Sequence, residues 1–237
     1  MNLYKNLIGR QALVAGASTG IGWAISQMLM KEQVKVVIAD INPPEEKKDQ
    51  FTFIPVDLTD PGASDKVFTQ LAETDSLPDI LICNVGRGIQ EKLTEGDPAK
   101  WQGIIDLNLM SHLRLIRTFV PQMLSMKMAD VVFTSSVAAN QPHPYGGIYS
   151  ASKAALVNIA ETLRQECTPD LRVTTITPGV VKSDFFNNQI GSDTTAESFG
   201  WGYLEPADIA ESIVFALSRP QEVAINNITI RPRAQVF

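Results

Sequence analysis

Cysteine and histidine are the scarcest reactive residues in this 237-residue chain, with two of each. Cys83 and Cys167 sit in apolar or helical surroundings without metal-ligand spacing, which reads as two reduced thiols and not as a disulfide framework. His112 falls inside a long helical pattern and His143 follows a proline. Neither has Cys or acidic partners at zinc spacing, so no metal is expected. Long apolar runs are missing too: nothing approaches the roughly 20 residues that a membrane-spanning helix needs. The opening MNLYKNLIGRQALVAG lacks the layout of a secretory signal, so a cytoplasmic protein without a membrane partner is expected. Positive charge is in deficit, with 20 Lys and Arg against 26 Asp and Glu and a net charge of −6. With no basic stripe, nucleic acid is not an expected partner.

What the chain does contain is alternation. Short apolar β-rich runs (11–15, 35–40, 51–57, 79–86, 130–136, 172–179 and the terminal NNITIRP) are separated by helical patterns such as IGWAISQMLMK, ASDKVFTQLAE and PADIAESIVFAL. Strands apolar on both faces and spaced by helices predict a doubly wound α/β fold, a parallel sheet with helices on both sides. Residues 101–124 read as one continuous helix. The connection INPPEEKKDQ carries two prolines and a charged run, and reads as a solvated loop. Segment 184–204 shows no period and reads as a lid or a long surface excursion.

Between the first strand and the first helix stands GASTGIG, with Gly16, Gly20 and Gly22. Glycines there allow a tight turn and let backbone amides at a helix N-terminus approach a pyrophosphate. Ser18 and Thr19 add hydroxyl donors, and the Lys-Ser/Thr pair of a triphosphate loop is replaced by Trp23 and Ala24. The second strand ends at Asp40, an acid placed to accept bonds from adenosine ribose hydroxyls and to repel a 2′-phosphate, which favours NAD over NADP.

Farther along, Tyr149 and Lys153 are four residues apart on a predicted helix and share a face. A free phenol has a pKa of about 10. A neighbouring ammonium lowers it, so this pair is expected to exchange a proton with an alcohol or ketone oxygen, with Ser136 as a further hydrogen-bond partner.

Together GASTGIG, NVG at 84–86, Asn108 in DLNLMS, Ser136 in TSSVA, YSASK at 149–153 and PGVVKS at 178–183 resemble the short-chain dehydrogenase/reductase superfamily, in its compact single-domain branch. The resemblance runs from about residue 7 to the C-terminus. It implies one Rossmann-like domain over 1–237 with about seven strands, and a catalytic tetrad of Asn108, Ser136, Tyr149 and Lys153. In that tetrad Tyr149 is the acid/base, Ser136 orients the substrate oxygen, Lys153 lowers the tyrosine pKa and binds the nicotinamide ribose, and Asn108 holds a relay water. The implied cofactor set is Gly16, Ser18, Thr19, Gly20, Ile21, Gly22, Asp40, Asp57, Leu58, Asn84, Gly86, Pro178, Gly179, Val181 and Ser183, with Tyr149 and Lys153. A homotetramer or homodimer paired through the helices at about 100–125 and 149–167 is also implied.

Three residues depart from the family pattern: Ala15 where Thr is usual, Val85 in place of the Ala of Asn-Ala-Gly, and Arg87 directly after that motif. The expected function is hydride transfer between NAD(H) and a small or medium secondary alcohol or its ketone, with a hydroxy acid among the candidates. Two rivals stand beside it. One is an NADPH-dependent carbonyl reductase that uses Lys47 or Lys48, and the other is a nucleotide-binding regulator without turnover. Substrate selection is expected from loops 87–96, 137–147 and 184–204, where Phe185, Phe186, Phe199, Trp201 and Tyr203 suggest a partly apolar pocket.

Overall fold

The computed structural model describes residues 5–44 and 50–236. Lys47 and Lys48, on which the NADPH alternative depends, lie outside them. Seven parallel strands form one sheet in the order β3-β2-β1-β4-β5-β6-β7. They are β1 (Gln11–Ala15), β2 (Lys35–Asp40), β3 (Thr52–Pro55), β4 (Ile80–Cys83), β5 (Asp130–Thr134), β6 (Arg172–Pro178) and β7 (Asn227–Ile230). The helices are α1 (Gly20–Lys31), α2 (Ala63–Glu73), α3 (Pro98–Ile105), α4 (Ser111–Met123), α5 (Gly147–Glu166) and α6 (Pro206–Leu217).

Alternation along each strand explains why these runs are apolar throughout. Leu13, Val37, Leu81 and Val131 point to one layer with α2, α4 and α5, whereas Val14, Ile38, Ile82 and Val132 point to the other with α1 and α6. Successive strand residues face opposite sides, so a sheet covered twice needs apolar residues at every position. Local signals set the helix starts. Pro206 opens α6 behind a capping box in which Glu205 N donates to Asp208 at 2.8 Å, and Asp97 caps α3 by accepting from Ala99 N at 2.9 Å.

The helix expected over 101–124 is interrupted. Between α3 and α4, residues Asp106–Met110 form one π turn, an extra residue that shifts the register and carries Asn108 into full burial. Because the strand order reverses on either side of β1 and β4, the loops after their carboxyl ends splay apart and leave a crevice.

Candidate active site

That crevice is a cavity of about 960 Å³, lined by the loops that follow β1 through β6 and by the start of α5. At one end lies the glycine loop. Gly16 adopts φ +76° with Val85 so close that a Cβ would sit 2.8 Å from the valine backbone, and a Cβ on Gly22 would meet the Gly16 carbonyl at 2.0 Å. Asn84 fastens the same loop by donating to the Gly16 carbonyl at 2.7 Å. Thr19, the residue before α1, makes no side-chain cap, so the first amides of this helix are left for a ligand.

Asp40 lines the cavity and also ties the loop down: it accepts from Ser18 N at 2.9 Å and from Ile41 N at 2.7 Å. The Ser18 hydroxyl in turn bonds the Asn42 carbonyl. Asp57 forms a local turn, accepting from the backbone and hydroxyl of Thr59 at 2.9 and 2.7 Å, while Leu58 beside it is buried. Among the described residues lining the cavity the Lys and Arg side chains are Arg87 and Lys153, both away from this end.

At the other end Ser136, Tyr149 and Lys153 line one wall, and Gly86 lies so close that a Cβ on it would sit 3.1 Å from Lys153 Nζ. Helix α5 is stitched to the end of β5: Lys153 Nζ donates to the Thr134 carbonyl at 2.9 Å, and the Ser135 hydroxyl to the Lys153 carbonyl at 3.0 Å. Asn108 is committed on all sides. Its amide nitrogen donates to Arg87 O and Ser152 Oγ, both at 3.0 Å, and its oxygen accepts from Arg87 N at 2.8 Å. The Asn108 side chain therefore fixes the loop after β4 against α5.

The electrostatics differ from what the spacing of Tyr149 and Lys153 predicts. Lys153 Nζ lies 6.0 Å from the Tyr149 ring centroid and spends a hydrogen bond on Thr134. Loss of hydration pushes the phenol up to about 12, opposed by a hydrogen bond with Ser136, and burial brings the Lys153 ammonium down to about 8. In this geometry desolvation outweighs attraction between the two.

One buried titratable group behind the cavity wall is absent from the sequence reading of the site. His112 is fully buried on α4, with Nε2 2.9 Å from the Val85 carbonyl and Nδ1 unpartnered among the described residues. The signal for it was a lone histidine on an apolar helix face, which on its own denotes only a satisfied core residue.

Segment 184–204 is pinned at two points, by isolated bridges pairing Ile89 with Ile190 and Val181 with Leu204. Its aromatics form a chain starting at the candidate acid/base. Tyr149 lies 5.5 Å from Phe185, and Phe185–Phe186, Phe186–Phe199 and Phe199–Trp201 follow at 5.6 Å each. Tyr203, expected in that wall, does not line the cavity and sits instead under Lys182.

A dinucleotide fits here. Glycines at which a Cβ would collide cradle one end, uncapped helix amides stand ready for a pyrophosphate, and titratable groups gather at the other end. A doubly wound sheet with such a crevice defines a nucleotide-dependent α/β protein. The chain belongs to the short-chain dehydrogenase family, whose model matches residues 10–193, and it is an NAD(P)-dependent oxidoreductase. An uncharacterized oxidoreductase of Staphylococcus aureus (strain MRSA252) is 30% identical over 234 residues, covering 95% of this chain and 98% of the relative. Among solved structures, a serine dehydrogenase complexed with NADP+ superposes with a TM-score of 0.89 at 25% identity, covering 96% of each chain. The NADH-dependent reductase A1-R′, responsible for alginate metabolism, superposes at 0.82 with 21% identity over 97% and 98%, a likeness of fold.

Proposed function

We propose that the protein transfers hydride between NAD(H) and a secondary alcohol or its ketone, with Tyr149 as the acid/base. The observation carrying this reading is the convergence of Ser136, Tyr149 and Lys153 on one wall of the cavity that has the glycine loop at its far end. A bound nicotinamide supplies the hydride donor or acceptor. The chain's own groups do the rest: Tyr149 passes a proton to or from the substrate oxygen, and Ser136 holds that oxygen and the phenol together. Lys153 keeps positive charge beside the proton path, and Asn108 holds the loop and helix that carry these groups.

A phenol held near 12 is fully protonated at neutral pH, the form that reduction of a ketone requires, although as a weaker acid it gives that proton up reluctantly in the cofactor-free electrostatics. Cofactor charge would shift that balance. Asp40 supports NAD over NADP, because a carboxylate fixed at the end of β2 by two backbone amides would face a 2′-phosphate with like charge. The aromatic chain next to Tyr149 supports an apolar body on the substrate. A cytoplasmic location and a homodimer or homotetramer paired through α4 and α5 belong to the same proposal, and light scattering on the purified chain checks the assembly.

Paired titrations with NADH and NADPH, read by energy transfer from the tryptophans, test the cofactor assignment. Trp201 at the cavity wall is a suitable donor. Tight NADH and weak NADPH are expected. The reverse order would remove Asp40 as the ribose ligand.

A further inference from the structure

The tail after β7 folds back over the β6 end of the cavity. The Ile230 carbonyl accepts from Gly179 N at 2.7 Å, the chain turns so that Gln235 N donates to Pro232 O at 2.9 Å, and Gln235 Oε1 accepts from Val180 N at 3.0 Å. Gln235 itself lines the cavity. The fit is close: a Cβ on Gly179 would stand 2.0 Å from Gln235 Oε1 and 3.1 Å from Pro232 Cδ.

On its other side the same turn is held by Leu204, whose N donates to Val180 O at 2.9 Å and whose carbonyl accepts from Lys182 N at 2.8 Å. In a parallel bridge of this kind the residue between those two bonds directs its own N–H and C=O away from the partner strand. Val181 therefore offers its amide on the side opposite Leu204. Leu204 thus holds the Val180–Val181 peptide by its carbonyl, and Gln235 holds the preceding Gly179–Val180 peptide by its N–H, so that Val180 is fixed on both sides although the glycine before it is conformationally free.

We infer that Gln235 is a positioning residue for the nicotinamide end of the cofactor site, clamping Val180 so that the Val181 amide keeps its aim. The inference rests on the reading of the cavity as a dinucleotide site. Val180 is buried, so its N–H needs a partner in the protein. Without the Gln235 oxygen the peptide rotates or admits water, and the cofactor meets a turn that must be reordered on binding.

Gln235→Met keeps side-chain length and bulk and removes the acceptor. In the cofactor-free variant, hydrogen exchange at the Val180 amide should speed up by about tenfold or more, and NADH affinity should fall about tenfold, the scale of one lost hydrogen bond. Unchanged exchange would show that there is no clamp, whether or not nicotinamide binds. Faster exchange with wild-type NADH affinity would overturn the positioning role. Wild-type protein that binds neither NADH nor NADPH would sink the cofactor reading and the positioning role with it, while exchange at Val180 still decides whether the clamp exists.

A second pair of variants covers the case in which the Met variant folds poorly. The new methyl of Gly179→Ala must displace the Gln235 oxygen. Combining it with Gln235→Ala should therefore weaken NADH less than about threefold beyond either single change. Losses that multiply would mean the two residues act separately and would overturn the clamp.

Discussion

The two ends of the sheet solve opposite problems. At the amino ends of the strands Arg10 pairs with Asp79 at 2.8 Å and Asp130 at 2.7 Å, and Arg172 grips Asp130 at 2.8 and 3.0 Å. Arg172 also donates to the carbonyls of Leu217, Arg219, Pro220 and Val223. Arg10, Asp130 and Arg172 are buried. Burial still raises the Asp79 carboxyl despite Arg10 beside it, a sign of how dehydrated this corner is. At the carboxyl ends the buried Thr134 and Ser150 hydroxyls and His112 Nδ1 lack partners among the described residues. The buried charges at one end satisfy one another, and the other end keeps an unpartnered hydroxyl, that of Thr134, on a residue of the cavity wall. Polar groups without partners are what a fold tolerates where a ligand is to arrive.

The largest break in this comparison comes from the open end. Tyr149→Phe removes the group assigned to proton transfer and leaves the ring to pack on Phe185. Turnover should fall on the order of 10³-fold, within the range for losing a general acid/base, while NADH still binds and the melting temperature holds. A variant with a tenth of wild-type kcat would take Tyr149 out of that role.

Breaking the closed end should do the reverse. Asp130→Ala leaves two buried guanidinium groups short of their carboxylate, a loss of about 3–5 kcal/mol, or a fall in Tm of roughly 10 °C or more for a domain of this size. NADH affinity of the folded fraction should stay within about twofold, since no Asp130 contact reaches the cavity. Thermal unfolding and the fluorescence titration measured on one sample separate these effects. An unchanged Tm would mean that the network is solvated.

How much of this was visible in the sequence follows the same division. The strands and the helices α1, α2 and α6 could be read because burial imposes a period there, and the glycine loop could be read because a close backbone approach restricts the residue type. The π turn was hidden because the apolar pattern of 101–124 runs on through it, and one extra residue in a turn leaves no compositional trace. Spacing put Lys153 on the same face as Tyr149 but could not show that its ammonium bonds Thr134, a residue brought there by the sheet. Segment 184–204 has no period because bridges to Ile89 and Val181 and a chain of ring contacts hold it, none of which repeats. Gln235 meets Val180 across a gap that no local pattern spans.

The smallest effect concerns His112, which sharpens the contrast by being buried and titratable at the open end. Burial first, and then the charge of Lys153, bring its pKa down to about 3, against the pull of the Val85 carbonyl. The folded state thus holds a neutral imidazole where the unfolded chain takes up a proton below its ordinary value of 6.5. A depressed folded pKa means stability fully present above 6.5 and lost progressively as pH falls from 6.5 toward 3. His112→Gln retains a donor for Val85 but no titrating group. Its unfolding free energy should fall less steeply than that of the wild type across this window, with the two profiles running parallel above pH 7. Denaturant titrations at several pH values give both slopes. Parallel profiles down to pH 4 would mean that His112 takes up its proton in the folded protein, and that the pocket behind Val85 admits water.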